Sequence, residues 1–459
     1  MKRILLLFLL AIVNFSFAQQ TEVLSFEEFL GYIKTTHPLT KQANLKITEA
    51  QAKLMKARGA FDPKLEADYV EKEYSDKNYY SIFNGSFKIP TWFGVEIKAA
   101  FDNAEGIYLN PENTLPNSGL TSLGISVPLG QRLWINERMA ELRKAKIYQR
   151  VNEAERKIML TEVIYEASKS YINWKRSFDE VALYTTYLEN AKTRYNGVLK
   201  LIEQGDKPAI DSVEAGITVK SRKLNLENAN LKLIKARLTL SNYLWTEDGV
   251  PFEINETMRP EEKIDQTILF SLKLDDFQNF NIESHPKMEA LNSKLDILNV
   301  ETRLFANNLL PKLNVNYNYL SEPNAFDNYR LKDYKVGVNF AFPLFLRKER
   351  ANLKLAKVKA ADSQFSLNFE QQALINKIEA QKNEIKSYKR QIQLTVDLVN
   401  NYNQMLNAEE RLFQMGESSL FLINSRENSL VTTQLSNISL TNSYLQAALD
   451  LYKTMANPE

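Results

Sequence analysis

Apolar and polar residues repeat along this chain with two periods, one typical of strands and one typical of helices. Strict alternation, which puts one kind of residue on each face of a strand, occurs within residues 64–127 and 312–342. Two longer stretches, at about 131–205 and 344–416, have no proline and almost no glycine. At about 1.5 Å per residue, roughly 70 helical residues span on the order of 100 Å. Such lengths favour a coiled coil, a bundle or a tube wall over a compact enzyme core.

The whole pattern occurs twice in the chain. The dipeptide His-Pro at 37–38 recurs at 285–286, and Pro-Lys-Leu at 63–65 recurs at 311–313, so both are displaced by the same number of residues. A glycine stands at the end of each long helical stretch. Self-similarity at a fixed offset indicates an internal duplication. Each half therefore predicts a helix, strands, a long helix, a turn and a return helix.

The N-terminus has the features of a secretory signal peptide. Lys2 and Arg3 precede an apolar run from Ile4 to Phe17, and small residues before Gln19 predict cleavage after Ala18. An uncleaved anchor is the alternative, although the run is short for a membrane span. The predicted order is a signal peptide at 1–18; a first repeat at 19–247 with strands at about 64–127, a long helix at about 131–205 and a return helix at about 208–245; a connector at 248–283; and a second repeat at 284–457 with strands at about 312–342, a long helix at about 344–416 and a return helix at about 418–456.

Several finer features of the first repeat follow from local residue preferences. Residues 79–90 form a candidate strand that Pro90 makes uncertain, and residues 103–119 are rich in Asn, Pro and Gly and predict a loop. Gly205 suits a helix C-terminus. Asp206 is expected to cap the return helix, with Pro208 in its first turn.

Composition and charge exclude several classes of function. The formal net charge is +2 and the chain has no cysteine, so we expect no nucleic-acid partner, no disulfide and no thiolate metal site. The two histidines, His37 and His285, each precede a proline at equivalent places, which indicates helix punctuation rather than a metal pair. We find no phosphate loop, nucleophile elbow or catalytic triad. The sequence therefore predicts no enzyme, no metal and no cofactor.

The amphipathic strands indicate how the chain could cross a membrane. Strands do so only in closed barrels, because an open edge leaves backbone groups unpaired in lipid. Four to six strands per chain are fewer than the eight that a barrel needs, so we predict a homo-oligomer that shares one barrel. A periplasmic β-sandwich with one wet face is the alternative. The predicted lumen residues are Asn314, Asn316, Asn318, Lys335 and Asn339.

Five features together resemble a known family. They are Leu-Ser-Phe-Glu-Glu at 24–28, the two His-Pro dipeptides, the Pro-Lys-Leu strand starts, Val-Pro-Leu-Gly at 127–130 with Phe-Pro-Leu-Phe at 342–345, and the turn at 205–211. Their duplicated order is similar to that of TolC-type outer-membrane efflux proteins. The resemblance implies a mainly α fold with a small transmembrane β part: a homotrimer whose α-barrel tunnel crosses the periplasm and joins a shared twelve-stranded antiparallel β-barrel, with two strands per repeat, in the outer membrane of a Gram-negative bacterium.

The resemblance also implies where the inner end of the tunnel closes. In the family the gate lies at the turns between long and return helices, so Asp211 and Phe413 are the expected gate residues. Gly205, Asp206, Gly416 and Glu417 are the expected adaptor-contacting turns. Ser418 replaces the family's arginine, and Leu422 and Ser425 replace its acidic residues, so the family's lock is not carried over. Two alternatives remain for the charged turn residues: a different polar lock made by Asp206, Lys207, Asp211 and Glu417, or simple stabilisation of helix N-termini by Asp206 and Glu417.

These expectations converge on a passive exit duct of a tripartite efflux pump or type I secretion system. Its expected partners are a periplasmic adaptor, an inner-membrane transporter and outer-membrane lipid. The cargo stays open among drugs, metal ions, polypeptides and metabolites. The alternative function is a soluble periplasmic coiled-coil scaffold or adaptor.

Overall fold

The structure, a computed structural model, describes residues 22–273, 280–325, 330 and 332–456. The expected signal peptide and the mature start at Gln19 lie outside the described residues. The described chain divides into two compact units. The sheet unit comprises 45–156 and 286–371, and the helical unit comprises the residues up to 44, 157–285 and those from 372.

Helices contain most of the described residues, and the two longest exceed 65 residues. The helices are α1 (Phe26–Thr35), α2 (Pro38–Arg58), α3 (Glu137–Glu203), α4 (Ile210–Ser241), α5 (Ile264–Ser271), α6 (Pro286–Asn307), α7 (Arg347–Gln414) and α8 (Leu420–Met455). The strands are β1 (Val23–Leu24), β2 (Lys64–Tyr74), β3 (Lys77–Pro90), β4 (Glu96–Glu105), β5 (Leu120–Pro128), β6 (Arg259–Pro260), β7 (Lys312–Ser321) and β8 (Tyr334–Ala341).

One antiparallel sheet of the order β2-β3-β4-β5-β7-β8 dominates the sheet unit. The first repeat supplies four of its strands and the second repeat two. The two strands per repeat that the resemblance implies are therefore wrong for the first repeat. The additional hairpin β2–β3 turns at Ser75 and Asp76, whose φ angles of 53° and 54° are those of a tight two-residue hairpin loop.

The limits of β3 and β4 correct two expectations about the first repeat. Pro90 does not interrupt β3, because it is the last residue of that strand and pairs with the first residue of β4. The predicted loop at 103–119 begins too early, because Asn103 continues the ladder opposite Phe83 and β4 extends to Glu105.

The long helices begin a few residues later than their sequence pattern suggests. Residues 129 and 131 are held beside the start of β7 instead, since the Leu129 and Gln131 N–H groups donate to carbonyl oxygens of Leu313 and Pro311, each at 2.7 Å. Helix α3 then starts after Asn136, whose Oδ1 accepts from the Met139 N–H at 2.8 Å, as an N-cap side chain does.

The return helix α4 starts differently from the prediction. It follows Ala209, and no side chain caps it, so the expected cap at Asp206 is wrong and Pro208 precedes the helix. In the second repeat the cap is Ser419, whose hydroxyl accepts from the Leu422 N–H at 3.3 Å. The two turns therefore share a common end to the long helix but start their return helices differently.

Aromatic residues form the centre of the helical unit. Tyr171 and Trp174 of α3 are almost fully buried, and their rings meet edge to face at 5.5 Å. The Tyr171 ring also meets Phe26 of α1 at 5.3 Å, and its hydroxyl donates to the Leu24 carbonyl oxygen at 2.6 Å. A buried Tyr needs such a partner for its hydroxyl. This cluster fixes the start of the described chain against the long helix.

Small residues allow helices of the sheet unit to approach closely. Leu54 and Ala57 of α2 pack on Leu142 and Ala145 of α3 in one buried cluster. From the second repeat, Leu304 of α6 packs on Ala140 of the same helix α3. No helix in the described ranges combines the length and the apolar composition that a membrane span needs.

Candidate functional site

Both long helices end in the same backbone motif. Gly205 and Gly416 each have φ of +84°. The Gly205 N–H donates to Ile202 O at 3.0 Å and the Asp206 N–H to Leu201 O at 2.9 Å. The second turn repeats these two bonds from Gly416 and Glu417, at 3.1 and 2.9 Å, to Phe413 and Leu412. This is a Schellman motif, in which a left-handed glycine lets the chain cap the last carbonyl groups and leave the helix.

The two turns are joined by a contact between a cation and an aromatic ring. Lys207 of the first turn places its Nζ 5.0 Å from the centre of the Phe413 ring, one turn before the second glycine. Phe413 also packs against a buried cluster of Val198, Ala215 and Leu420. Attraction between an ammonium group and an aromatic face is worth about 0.5–1 kcal/mol at exposed sites. The structure thus brings the expected gate residue Phe413 into contact with the first turn.

Within the described part of one chain, no ion pair joins Asp206, Lys207, Asp211 and Glu417, the residues of the alternative polar lock. Asp211 lies in the first turn of α4, where a negative charge favours a helix N-terminus. Asp206 and Glu417 contribute to the two turns through their backbone N–H groups, which donate to carbonyl oxygens at the ends of the long helices.

A buried ion network that sequence reasoning missed lies among four helices of the helical unit. Glu427 of α8 is 1% exposed. Its two carboxylate oxygens accept from Arg194 of α3 at 3.0 Å and from Arg222 of α4 at 3.2 Å. Arg194 also reaches Glu410 of α7 at 3.4 Å, and Arg222 donates to Asn428 at 2.6 Å. One carboxylate therefore links both repeats.

The sequence does contain a signal for this network. Glu427 occurs at helical spacing within the apolar stripe that includes Leu420, Ile423, Leu430 and Val431, all of them buried. A charged residue on the apolar face of a helix must be paired, because an isolated buried charge is strongly unfavourable. Arg222 likewise lies seven residues from two buried alanines, Ala215 and Ala229.

A second polar contact lies in the turn of the second repeat. Ser418, at the position where the resemblance implies an arginine, donates from its hydroxyl to Glu409 of α7. The same carboxylate lies 3.6 Å from the Arg426 Nε of α8. Both contacts to Glu409 are made within the second repeat.

The two histidines are engaged separately. The Nδ1 atom of His37 accepts from the Leu39 N–H at 3.3 Å, and its ring stacks on Tyr243 with centres 5.6 Å apart. His285 places its Nε2 2.9 Å from the Thr454 carbonyl oxygen. Burial lowers the pKa of His37. Both residues act at the starts of helices, as punctuation, and the described residues contain no group of three metal-binding side chains.

The sheet carries the second candidate site, because each of its faces is continuous over six strands. Residues that pair directly across neighbouring strands point to the same side. One such row, here called the lysine row, consists of Lys64, Lys88, Lys98, Gly124, Asn318 and Lys335. The adjacent row, here called the apolar row, consists of Leu65, Phe87, Ala99, Leu123, Tyr319 and Tyr334.

All five expected lumen residues lie on the face of the lysine row. Asn314 pairs with Asn339, Asn318 with Lys335, and Asn316 with a glycine of β8. The opposite face presents large apolar side chains to the surroundings. Leu65 is 81% exposed, Val338 61% and Phe340 68%. An uncovered apolar face of this extent marks a surface made for lipid or for another protein.

Aromatic side chains lie at both ends of the strands. At the end with the hairpin turn, the Tyr79 ring lies 4.8 Å from Tyr108 and 6.4 Å from Tyr74. At the other end, where the helices join, Trp92 lies 5.8 Å from Phe61. Aromatic residues near both ends of the strands are a feature of barrels that cross an outer membrane.

Comparisons with known proteins agree with this geometry. Residues 281–457 match the family model described as outer membrane efflux protein, and no curated protein matches the chain. The structure is similar to the Campylobacter jejuni CmeC outer membrane channel (TM-score 0.63, 14% identity, 94% of this chain and 85% of that chain covered). It is also similar to the open state of the Neisseria gonorrhoeae MtrE outer membrane channel (0.65, 13%, 94% and 89%) and to the Vibrio cholerae outer membrane protein VceC (0.65, 13%, 94% and 95%). The resemblance to TolC-type outer-membrane efflux proteins is thus confirmed, by sequence over residues 281–457 and by fold over almost the whole chain.

Proposed function

We propose that this protein is the outer-membrane exit duct of a tripartite efflux pump or type I secretion system. Three copies would share one β-barrel in the outer membrane and one helical tunnel in the periplasm. The observation that carries the proposal is the six-stranded sheet with one polar and one uncovered apolar face. A soluble protein would bury that apolar face. In a barrel, the apolar face contacts lipid and the polar face lines water.

The strand edges support the assembly of several copies. The described residues of one chain supply six strands in a single open sheet, and a barrel needs at least eight. Unpaired backbone groups at a sheet edge are strongly unfavourable in lipid. Joining identical copies edge to edge removes every open edge. The expected lumen residues Asn314, Asn316, Asn318, Lys335 and Asn339 would then line the channel.

The turns at the ends of the long helices would serve as the gate and the docking site. Gly205, Asp206, Gly416 and Glu417 present backbone at two left-handed turns, where a periplasmic adaptor would bind. Phe413, held under Lys207, and Asp211 would take part in closing the tunnel. Adaptor binding would open it by separating these contacts. Transport energy and cargo choice would come from the inner-membrane transporter.

A pair of neighbouring substitutions tests the membrane assignment. Val338 and Asn339 are adjacent in the middle of β8 but lie on opposite faces of the sheet. An arginine facing lipid near the bilayer midplane costs about 2–4 kcal/mol, so Val338→Arg is expected to reduce the protein recovered in outer-membrane fractions. Asn339→Arg faces the lumen and is expected to leave recovery unchanged. Recovery of both variants and the wild type from the soluble periplasm would overturn the proposal in favour of a periplasmic scaffold.

The gate assignment is tested by conductance in a planar lipid bilayer with potassium chloride. Phe413→Ala removes the ring that Lys207 contacts, and we expect a larger mean conductance than that of the wild type. Phe365→Ala is the matched control, since Phe365 lies on the same helix and is 73% exposed. Equal conductance of the two variants would exclude Phe413 from the gate.

A further inference from the structure

The number of strands in this chain changes the expected size of the barrel. We propose that each copy contributes all six strands, that the seam between copies is formed by β8 of one copy and β2 of the next, and that three copies close an eighteen-stranded barrel. This inference rests on the proposed function, and it replaces the twelve strands that the family resemblance implies. The occupant of each open sheet edge is therefore a second copy of this chain.

Both edge strands are long and unprotected. Every residue of β2 is exposed, and every residue of β8 except Gly337 is exposed. Each has a single neighbour in the sheet of the described chain. Soluble proteins shield such edges because they act as templates for pairing with another chain. The strands alternate in direction and are even in number, so β2 and β8 run antiparallel, as a ladder between copies requires.

The register of the sheet already contains the stagger of a closed barrel. The lysine row begins at Lys64, the first residue of β2, and reaches β8 at Lys335. The end of β8 next to the helices is Ala341, six residues beyond Lys335. If Lys64 of the next copy pairs with Ala341, the six strands share an offset of six residues, which is a stagger of one residue per strand. With about 3.3 Å per residue and about 4.8 Å between strands, the strands tilt by about 35°. This tilt falls within the range of about 35–45° that closed barrels show.

The same register matches the faces of the two edge strands. It places Leu65 opposite Phe340 and Ala67 opposite Val338 on the apolar face, and Glu66 opposite Asn339 on the polar face. A slip by one residue would turn every side chain of one strand to the wrong face. The apolar row of one copy therefore continues the apolar face of the next without interruption.

A twelve-stranded ring would require the sheet to break. In such a ring β8 would pair with β4 of the next copy. The outer edge of β4 is already occupied by β3, through a ladder that runs from Ser81–Glu105 to Pro90–Glu96. The hairpin β2–β3 would then have to leave the sheet and expose its own edges. A ring with six strands per copy keeps every pair of neighbouring strands that the structure contains.

The consequence is a wider lumen. With strands about 4.8 Å apart and tilted by about 35°, twelve strands give a backbone diameter of about 23 Å and eighteen strands about 34 Å. Barrels of 16–18 strands leave an open aqueous channel even after side chains fill part of the interior. The barrel of this protein would thus be about 1.5 times as wide as the one the family resemblance implies, on the same spacing and tilt.

Engineered cysteines test the seam directly, because the native chain has none. The seam variant carries Glu66→Cys and Asn339→Cys. These residues lie on opposite edges of one chain's sheet, with four strands between them, so a disulfide can form only between copies. The alternative variant carries Lys98→Cys and Asn339→Cys, which the same stagger would bring together in a twelve-stranded ring. A third variant, Asp68→Cys with Asn339→Cys, is two residues out of register.

All variants are oxidised in intact outer membranes and separated on non-reducing gels. We expect the seam variant to form covalent dimers and trimers but nothing larger, and the other two to remain mostly uncrosslinked. Crosslinking of the Lys98 variant alone would establish twelve strands, overturning this inference while leaving the duct intact. Absence of crosslinks in all three membrane-inserted variants would also overturn it. Recovery of the wild type as a soluble monomer would instead overturn the proposed function.

Discussion

The buried carboxylate of Glu427 provides a quantitative test of what holds the four helices of the helical unit together. The substitution Glu427→Gln keeps the shape of the side chain and removes its charge. It leaves Arg194 and Arg222, at 3.0 and 3.2 Å from the carboxylate oxygens, without their shared counter-charge. The arginine side chains are 14% and 6% exposed, so water can replace little of the lost interaction.

The expected loss follows from burial. Removing one partner of a buried ion pair typically costs about 3–5 kcal/mol, because the remaining charge stays buried and uncompensated. An exposed pair is worth about 0.2–1 kcal/mol. The matched control is Glu189→Gln, which breaks the Lys192–Glu189 pair on α3, where the two atoms are 2.8 Å apart and the side chains are 49% and 62% exposed. The two substitutions change the same group and differ in burial.

Amide hydrogen exchange of the purified protein measures the local free energy of opening. A loss of about 3 kcal/mol corresponds to exchange roughly 10²-fold faster, at 1.36 kcal/mol per tenfold change. We expect this acceleration in peptides that cover residues 190–200 and 420–431 of the Glu427→Gln variant. The Glu189→Gln variant is expected to stay within about fivefold of the wild type, the size of effect that an exposed pair gives.

A triple replacement separates the ion network from simple packing. Replacing Arg194, Arg222 and Glu427 together by methionine removes the buried charges along with their attraction, and such exchanges are often neutral or stabilising. We expect the triple variant to recover most of the protection lost in Glu427→Gln. If Glu427→Gln exchanged no faster than Glu189→Gln, the reasoning from burial would be refuted.

Three further predictions concern single residues. Gly205→Ala should destabilise the end of α3 by about 1–2 kcal/mol, because the φ angle of Gly205 is positive. Gly197→Ala lies inside the same helix, with equally open space around a new Cβ, and should stabilise that helix by about 0.5–1 kcal/mol. Equal shifts in the melting temperatures of the two variants would contradict this pair of predictions. His37 has a lowered pKa in the folded protein. The stability that its neutral ring gives to the fold is therefore present above the unfolded pKa of about 6.5 and is lost as the pH falls below that value. The melting temperature of His37→Phe should depend less on pH between about 7 and 5, and an unchanged dependence would show that His37 does not contribute to the pH dependence of stability. Asn136→Ala should cost about 1 kcal/mol by removing the bond from the Met139 N–H; a loss near zero in denaturant unfolding would show that water replaces the cap.

The duplicated architecture follows from local sequence alone. A period of two places residues on two faces of a strand and a period near 3.6 places them on one face of a helix, whatever the rest of the chain does. For that reason Asn314, Asn316 and Asn318 could be assigned to a common polar face before any pairing was known. The glycines at 205 and 416 could likewise be assigned to the ends of the long helices, because few other residues adopt the left-handed backbone conformation that ends such a helix.

Features that depend on distant partners were decided by the tertiary structure. Asp206 carries the right side chain for a cap, but the path of the turn starts α4 only after Ala209. Glu427 lies in an apolar stripe, which indicates a paired charge, but only the packing of helices from both repeats placed Arg194 and Arg222 beside it. Neither the start of α4 nor the identity of these partners is contained in any short stretch of sequence.

The number of strands in the sheet most clearly separates what the sequence determines from what the tertiary structure decides. Alternation identified candidate strands, yet it carries no information on which strands pair or in what order. The row from Lys64 to Lys335 depends on hydrogen bonds between segments up to about 200 residues apart, such as the pair Thr121 and Ser321. Sequence thus determined the faces of each element through backbone geometry, whereas only non-local pairing decided the width of the sheet, the register of its edges and the partners of its buried charges.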